Sequence, residues 1–331
     1  MSATANFPAK VGFYRGTFLE TEHPFHFAIC RNNGEVIAEI AGDSSSTWRS
    51  AAKPFQLEAC LSLLPSDIIK KLDPQWLALG SGSHSAQPQH IEQLQKLLNF
   101  FHLEMTQLQC GTHPPIHTDT HVQMLQKKIP ASAMHNNCSG KHAFMLAAAQ
   151  ATGSTQKSYL DPKHPIQNHI YQLLQLKTAK AIEGTAIDGC ILPTFILPLK
   201  NMARAYAHLA EAMTQTASLL GSIGRAMNQH PKLVSGDDRL DFEIAKASHG
   251  QLLTKVGAGG VLCGLSKSQK LGFALKVTTG SEQARAAATD FVLRTWFPQD
   301  LIDPLPASWT QIQNVVGQTV GNIRVHSKVH V

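Results

Sequence analysis

Ser50 and Lys53 stand three residues apart in Arg49-Ser-Ala-Ala-Lys53. On a helix, positions i and i+3 share a face, so the lysine amine can reach the serine hydroxyl. A serine hydroxyl is a weak nucleophile until a base removes its proton. A lysine kept neutral by burial or by a second cation can be that base. A place in the first helical turn adds the helix's positive end, which favours a developing oxyanion. The bland alternative is a solvated helix start, because Ser-x-x-Lys arises often by chance.

Two later stretches bear on the choice. Gly80-Ser-Gly-Ser83-His84-Ser85 is a small-residue loop whose hydroxyls could face a cleft, or simply a turn. Lys255-Val-Gly-Ala-Gly-Gly260 ends a predicted strand with a lysine and a backbone freed by glycine. A third constellation is His135-Asn-Asn-Cys138-Ser-Gly-Lys141-His142, followed further along by Asp188-Gly-Cys190. Two cysteines and a histidine suggest soft-metal ligands. No Cys-x-x-Cys accompanies them, and Lys141 could ligate only after losing its proton. Two buried cysteines and a plain loop are the alternative. Cys60, on the apolar face of its helix, and Cys30 and Cys263, in predicted strands, read as core. Cys110 stays open, and of the 17 histidines only His84 and His142 stand out.

The elements that must position these groups follow from pattern and punctuation. Residues 25–40 read as a hairpin around Asn32-Asn33-Gly34. Pro54 fixes the start of a helix that begins near Ser50 and runs to about Leu64. A short apolar strand, Trp76–Leu79, leads into the Gly80–Ser85 loop and a helix from Pro88 to Phe101. Further helices are expected at 141–151, 163–177 and 201–229. Strands follow at Gln251–Lys255, Val261–Leu265 and Lys270–Thr279, then a helix at 281–296. Strands at both ends with helices between them predict an α+β chain whose terminal segments share one antiparallel sheet. The expected organisation is a single catalytic unit. Its sheet lobe spans 1–48 and 250–331, and a mainly helical lobe spans 49–249.

Composition narrows the class. With 331 residues, 43% of them hydrophobic, the chain can bury a real core. Charged residues are only 16%, against a usual ~25%, and the net charge of +6 comes from few acids. No basic run is longer than the pairs Lys70-Lys71 and Lys127-Lys128, which argues against a nucleic-acid face. No apolar stretch approaches the ~18 residues of a membrane span. Met1–Pro8 lacks the charged start and apolar core of a signal peptide. The six dispersed cysteines do not form a disulfide framework, so a reduced, cytoplasmic protein is expected.

Ser-x-x-Lys, a serine loop and a late Lys-x-Gly strand follow the order of penicillin-binding proteins and serine β-lactamases, although the middle loop lacks asparagine. A closer resemblance lies in longer strings. Arg49-Ser-Ala-Ala-Lys-Pro-Phe-Gln, Ser83-His-Ser-Ala-Gln-Pro-Gln-His and Asn137-Cys-Ser-Gly-Lys-His-Ala resemble the L-asparaginase II family of the inducible Rhizobium etli type. So do Asp188-Gly-Cys-Ile-Leu-Pro, Met202-Ala-Arg-Ala-Tyr-Ala and Lys255-Val-Gly-Ala, over about Val11 to Val277. This resemblance implies a serine β-lactamase-like fold, a homodimer, and hydrolysis of L-asparagine to aspartate and ammonia. It implies two Ser–Lys pairs, Ser50 with Lys53 and Ser83 with Lys255; helix geometry alone favours Ser50 over Ser83 as the nucleophile. It also implies a modulatory zinc held by Cys138, Lys141 and Cys190, and substrate contacts from Arg49, Asp188 and His142. The chain departs from the family in having Gln87 and Gly259 where a glutamate is usual. Those departures keep two rivals in view: another Ser–Lys amidohydrolase (glutaminase or penicillin-recognising), and an inactive relative that binds zinc or a small ligand.

Overall fold

The first and last strands of the chain lie side by side. In a computed structural model, which describes residues 9–179 and 182–327, Ala9–Arg15 pairs antiparallel with Thr319–His326. The N-terminal residues considered above for a signal peptide lie outside that range. Two compact units divide the chain. One takes the chain up to Ala51, Leu197–Ala210 and the chain from Glu243; the other takes Ala52–Ile196 and Glu211–Phe242.

The first unit is built on an eight-stranded sheet. Its order is Gln311–Gln313, Thr319–His326, Ala9–Arg15, Phe18–Cys30, Leu271–Val277, Val261–Ser266 and Leu252–Gly257. Phe18–Cys30 is long enough for two partners along one edge, Ala9–Arg15 first and Val36–Ile40 after it. Its other edge pairs with Leu271–Val277. The expected hairpin is present, its turn closed by Gly34 N–H donating to the Arg31 carbonyl at 3.0 Å. Phe25, Phe27 and Phe273 project from one face, where their rings meet Phe291, Trp296 and Phe297 at or just beyond the helix Glu282–Trp296. Each such buried aromatic contributes about 1.5–3 kcal/mol. Leu252–Gly257 and Val261–Ser266 are buried along their whole length, the signature of strands covered on both faces. The sheet flanked by helices is the α+β arrangement that the element order predicts.

The second unit is mostly helical. At its centre the helix Lys53–Leu61 is buried at every residue and packs against Ser139–Ala151, Pro165–Thr178 and Leu219–Gln229. Pro54 sits in its first turn, as expected. The strand expected at Trp76–Leu79 is instead part of the helix Pro74–Ser81. A short apolar run suits either state; here Asp73 caps the helix by accepting from Gln75 N–H at 2.8 Å, and Pro74 opens it. The helix expected over 201–229 is two: Leu199–Ala212, most of which belongs to the first unit, and Leu219–Gln229 in this one. Ser218 caps the second, and the Arg225 guanidinium gathers the carbonyls of Met213, Gln215 and Thr216 between them. Among the described residues no helix is long and apolar enough to cross a membrane.

One contact decides where the chemistry-bearing residues meet. A Cβ on Gly80 would lie 2.7 Å from the Phe144 ring, and one on Gly140 would lie 2.7 Å from the Leu79 carbonyl oxygen. Only glycine permits so close an approach of the helices Pro74–Ser81 and Ser139–Ala151. The end of the first helix leads to Ser83, and the start of the second carries Cys138 and Lys141.

Candidate active site

Lys53 is the first residue of the central helix and is fully buried. Its Nζ donates to the Ser83 hydroxyl at 3.0 Å, to the Asn137 carbonyl at 3.2 Å and to the Gly82 carbonyl. The resemblance pairs Lys53 with Ser50; the hydrogen bond in the structure runs from Lys53 to Ser83. Among the described residues no carboxylate bonds to this amine. Burial lowers the Lys53 ammonium below its ordinary range; the Cys138 thiol opposes the shift and the Lys141 charge adds to it.

The loop bearing Ser83 is fastened on two sides. His84 Nδ1 accepts from Ala86 N–H at 3.2 Å, so its Nε2–H donates to the Ser139 hydroxyl at 2.8 Å. Burial holds His84 neutral, with His90 and Lys53 acting in the same direction. Ser83 N–H donates to the Val234 carbonyl at 2.7 Å.

Cys138, Lys141 and Cys190, the set the resemblance implies, lie near one another. Lys141 Nζ lies 3.3 Å from Cys190 Sγ. The Cys190 thiol donates to Cys138 and holds it well below the ordinary thiol range against burial, with Lys53 and Lys141 assisting. The same hydrogen bond, with burial, raises Cys190. Burial pulls Lys141 down, but Cys190, Cys138 and Asp188 outweigh it and keep the ammonium charged. Among the described residues no group of three or more His, Cys, Asp or Glu is arranged around a metal position. Two thiols, one of them readily ionised, nevertheless suit a soft divalent ion, and the Lys141 amine fits as a third donor once deprotonated.

His142 is buried beside Tyr159. The Tyr159 oxygen accepts from Gln109 N–H at 3.0 Å and shares a hydrogen bond with His142 Nδ1 at 2.7 Å. His142 Nε2 meets no hydrogen-bond partner among the described residues. Asp188 is close enough to Lys141 to raise it. Lys53, Ser83, Cys138, Lys141, His142, Asp188 and Cys190 therefore form one cluster in the second unit. Arg49, Ser50 and Lys255 belong to the first unit. Arg49 and Ser50 lie in the short 3-10 turn Arg49–Ala52, which Tyr206 holds by donating to the Ala51 carbonyl at 2.8 Å. Lys255 is fully buried opposite Cys263, and its Nζ donates to the Val256 carbonyl at 2.9 Å.

Sequence reasoning missed Asn136, Asn137, His113 and Tyr159. Asn136 Oδ1 accepts from Cys138 N–H at 2.9 Å, and His113 Nε2 accepts from Asn137 N–H at 3.0 Å. The Asn-Asn pair before Cys138 was a usable signal, because asparagine side chains fold back on the backbone of the next turn. All six cysteines are free and buried.

No curated protein matches the chain. Among solved structures it is similar to Mglu in its native form in 4.3 M NaCl, with 16% identity, a TM-score of 0.48, and coverage of 85% of this chain and 62% of that one. It is also similar to Mglu in its L-glutamate-binding form, at 15% identity and TM-score 0.46, covering 84% of this chain and 60% of that one. A β-lactamase from Mycobacterium bovis gives 12% identity and TM-score 0.42, with coverage of 82% and 94%. The chain spans less than two thirds of the length of those Mglu chains. At the level of sequence the match is far more extensive: the family model for L-asparaginase II takes in residues 11–325, well past the last of the motif strings, and the chain belongs to that family of amidohydrolases.

Proposed function

We propose that the protein hydrolyses the side-chain amide of L-asparagine to L-aspartate and ammonia, with Ser83 as nucleophile and Lys53 as its general base. The observation that carries this reading is the 3.0 Å contact between Lys53 Nζ and Ser83 Oγ, made where burial lowers the ammonium and, among the described residues, no carboxylate bonds to it. The neutral amine takes the Ser83 proton as Oγ bonds to the amide carbon. The ammonium so formed returns a proton to the leaving nitrogen, and ammonia departs. Water then adds to the acyl-enzyme ester, Lys53 accepts its proton and passes one to Ser83 Oγ, and the aspartate carboxyl is freed. His142 Nε2, which has no partner among the described residues, and the Asp188 carboxylate are the groups we assign to the substrate's charged ends.

Cys138, Cys190 and Lys141 would hold zinc, whose charge when bound would tune the hold on substrate. The resemblance pairs Ser50 with Lys53 and Ser83 with Lys255 and gives Arg49 a substrate contact, each open to substitution. It also implies a homodimer, read by light scattering, and the free buried thiols suit a cytoplasmic enzyme.

Ammonia release from L-asparagine and L-glutamine, compared for wild type, Ser83→Ala and Ser50→Ala, tests the reading. Ser83→Ala should lose several orders of magnitude on asparagine with the fold intact. Loss confined to Ser50→Ala would move the nucleophile to Ser50. Faster release from glutamine would make the enzyme a glutaminase, and no release from either amide would leave a binding protein.

A further inference from the structure

The Ser83 loop is backed by a second segment with no part in the chemistry proposed above. Residues 233–237 run behind Gly82–Gln87 and fasten to it at alternate positions. Ser83 N–H donates to the Val234 carbonyl at 2.7 Å, and Ser85 Oγ–H donates to the Ser235 carbonyl at 2.9 Å. At Gln87 the fastening becomes two-pronged. Its Nε2–H donates to Asp237 Oδ2 at 3.0 Å, and its Oε1 accepts from Asp237 N–H at 3.0 Å. Gly236 between them has φ +116°, and a Cβ there would strike the Ser85 hydroxyl and the Gln87 amide oxygen. The two segments are in backbone contact with no room between them.

The loop needs an anchor because it is strained. Ala86 has φ +60°, a left-handed conformation that a Cβ disfavours. A residue held there relaxes unless its surroundings over-determine it. Ala86 is flanked by His84, tied to Ser139, and by Gln87, tied to Asp237. Both sides of the strained residue are therefore pinned, and Ser83 lies on the pinned stretch.

We propose that Gln87 and Asp237 form a lock that positions Ser83 against Lys53, and that the lock requires an amide at position 87. The claim rests on the reading of Ser83 as nucleophile. The chemistry is one of matched donors and acceptors. The Asp237 carboxylate can only accept, so residue 87 must offer an N–H as well as an oxygen. Gln87 offers both and is nearly buried, at 7% exposure. A glutamate at 87, the residue usual in the family, would set two carboxylates against each other. Lys232, which pairs with Asp237 at 2.8 Å, is the cation beside the lock; His90 and His117 are its other titratable neighbours. The departure at 87 and the aspartate at 237 thus belong together, and Gln87 acts as a positioning residue.

The test is a charge exchange. Gln87→Glu should lower kcat on L-asparagine about tenfold or more, as expected for a misplaced nucleophile, and leave KM within about twofold. Adding Asp237→Asn should restore kcat, because an amide at 237 supplies the N–H that a carboxylate at 87 cannot. The isosteric Gln87→Met, which breaks both bonds without adding charge, should lose kcat similarly and gain nothing from Asp237→Asn. Amide exchange at Ser83 and Ser85 gives a readout independent of turnover: faster in Gln87→Glu, restored in the double variant. Unchanged exchange and kcat in both single variants, or a Gln87→Glu defect that Asp237→Asn does not repair, overturns the lock. A wild type without amidase activity but with the expected exchange pattern would refute the proposed function and leave the lock standing.

Discussion

Replacing Gly140 with alanine tests how the close helix crossing sets the reacting groups. A Cβ at this position would lie 2.7 Å from the Leu79 carbonyl oxygen, where ordinary contact begins near 3.4 Å. The obstacle is backbone at the end of a packed helix, so it cannot swing aside as a side-chain tip would. The helices Pro74–Ser81 and Ser139–Ala151 must part by about 0.7 Å, the difference between those distances. Overpacking of this kind costs about 1–3 kcal/mol, against which alanine returns at most about 1 kcal/mol of helix propensity. With the full propensity gain, the net loss in stability should be about 0–2 kcal/mol. The effect on catalysis should be larger. Ser83 follows one helix and Asn137, which shares Lys53 with it, precedes the other. A displacement of this size can cost on the order of 10–100-fold in rate. Urea denaturation and ammonia release, measured on the same preparation, give both numbers. Gly140→Ala with wild-type stability and wild-type turnover would show that the crossing does not position the site.

Two further outcomes follow from the second unit. Glu58 and Lys177 form an ion pair at 2.7 Å with little exposure, yet burial raises the Glu58 carboxyl more than Lys177 lowers it. A carboxyl raised on folding binds its proton more tightly in the native state, so stability should fall as pH rises from about 4.5 through the native pKa. Glu58→Gln should therefore be more stable than wild type at pH 7 and lose that advantage near pH 4; urea midpoints at the two pH values decide, and a destabilised variant at pH 7 would refute the sign. For the metal, protein prepared without chelator should carry zinc that Cys138→Ser and Cys190→Ser each lose. Elemental analysis reads it directly, and a wild type that neither holds nor takes up zinc would dismiss the site.

How much of this was legible in the sequence depended on the range of the interaction. Pro54 marked the central helix because a proline's effect is confined to its own turn. The buried strands Leu252–Gly257 and Val261–Ser266 showed as apolar runs for the same local reason. Trp76–Leu79 misled because four apolar residues carry no period, and the Asp73-Pro74 start signal before them was overlooked. The terminal strands Ala9–Arg15 and Thr319–His326 escaped notice because each is defined by its pairing with the other, across the length of the chain. At the site, residue types and motif strings were readable, but the spacing of Cys138, Lys141 and Cys190 did not by itself say that Lys141 lies 3.3 Å from Cys190. The partner of Lys53 was not readable. Helical spacing favours Ser50, whereas the bond to Ser83 depends on two glycines that let separate helices touch. Gln87 looked like a lost charge until Asp237, far along the chain, gave it a partner.

The burial of every residue in the helix Lys53–Leu61 has a consequence for how the enzyme fails. A helix with no exposed face cannot fray or swing out on its own, so its amides should exchange only through global opening. Lys53 heads that helix, and the amine is therefore in place whenever the core of this unit is folded. An excursion in which the unit survives and the amine strays should therefore be costly. Heat inactivation and melting should then coincide, and core substitutions distant from Ser83 should reduce the amount of working enzyme without changing the turnover of the molecules that remain folded.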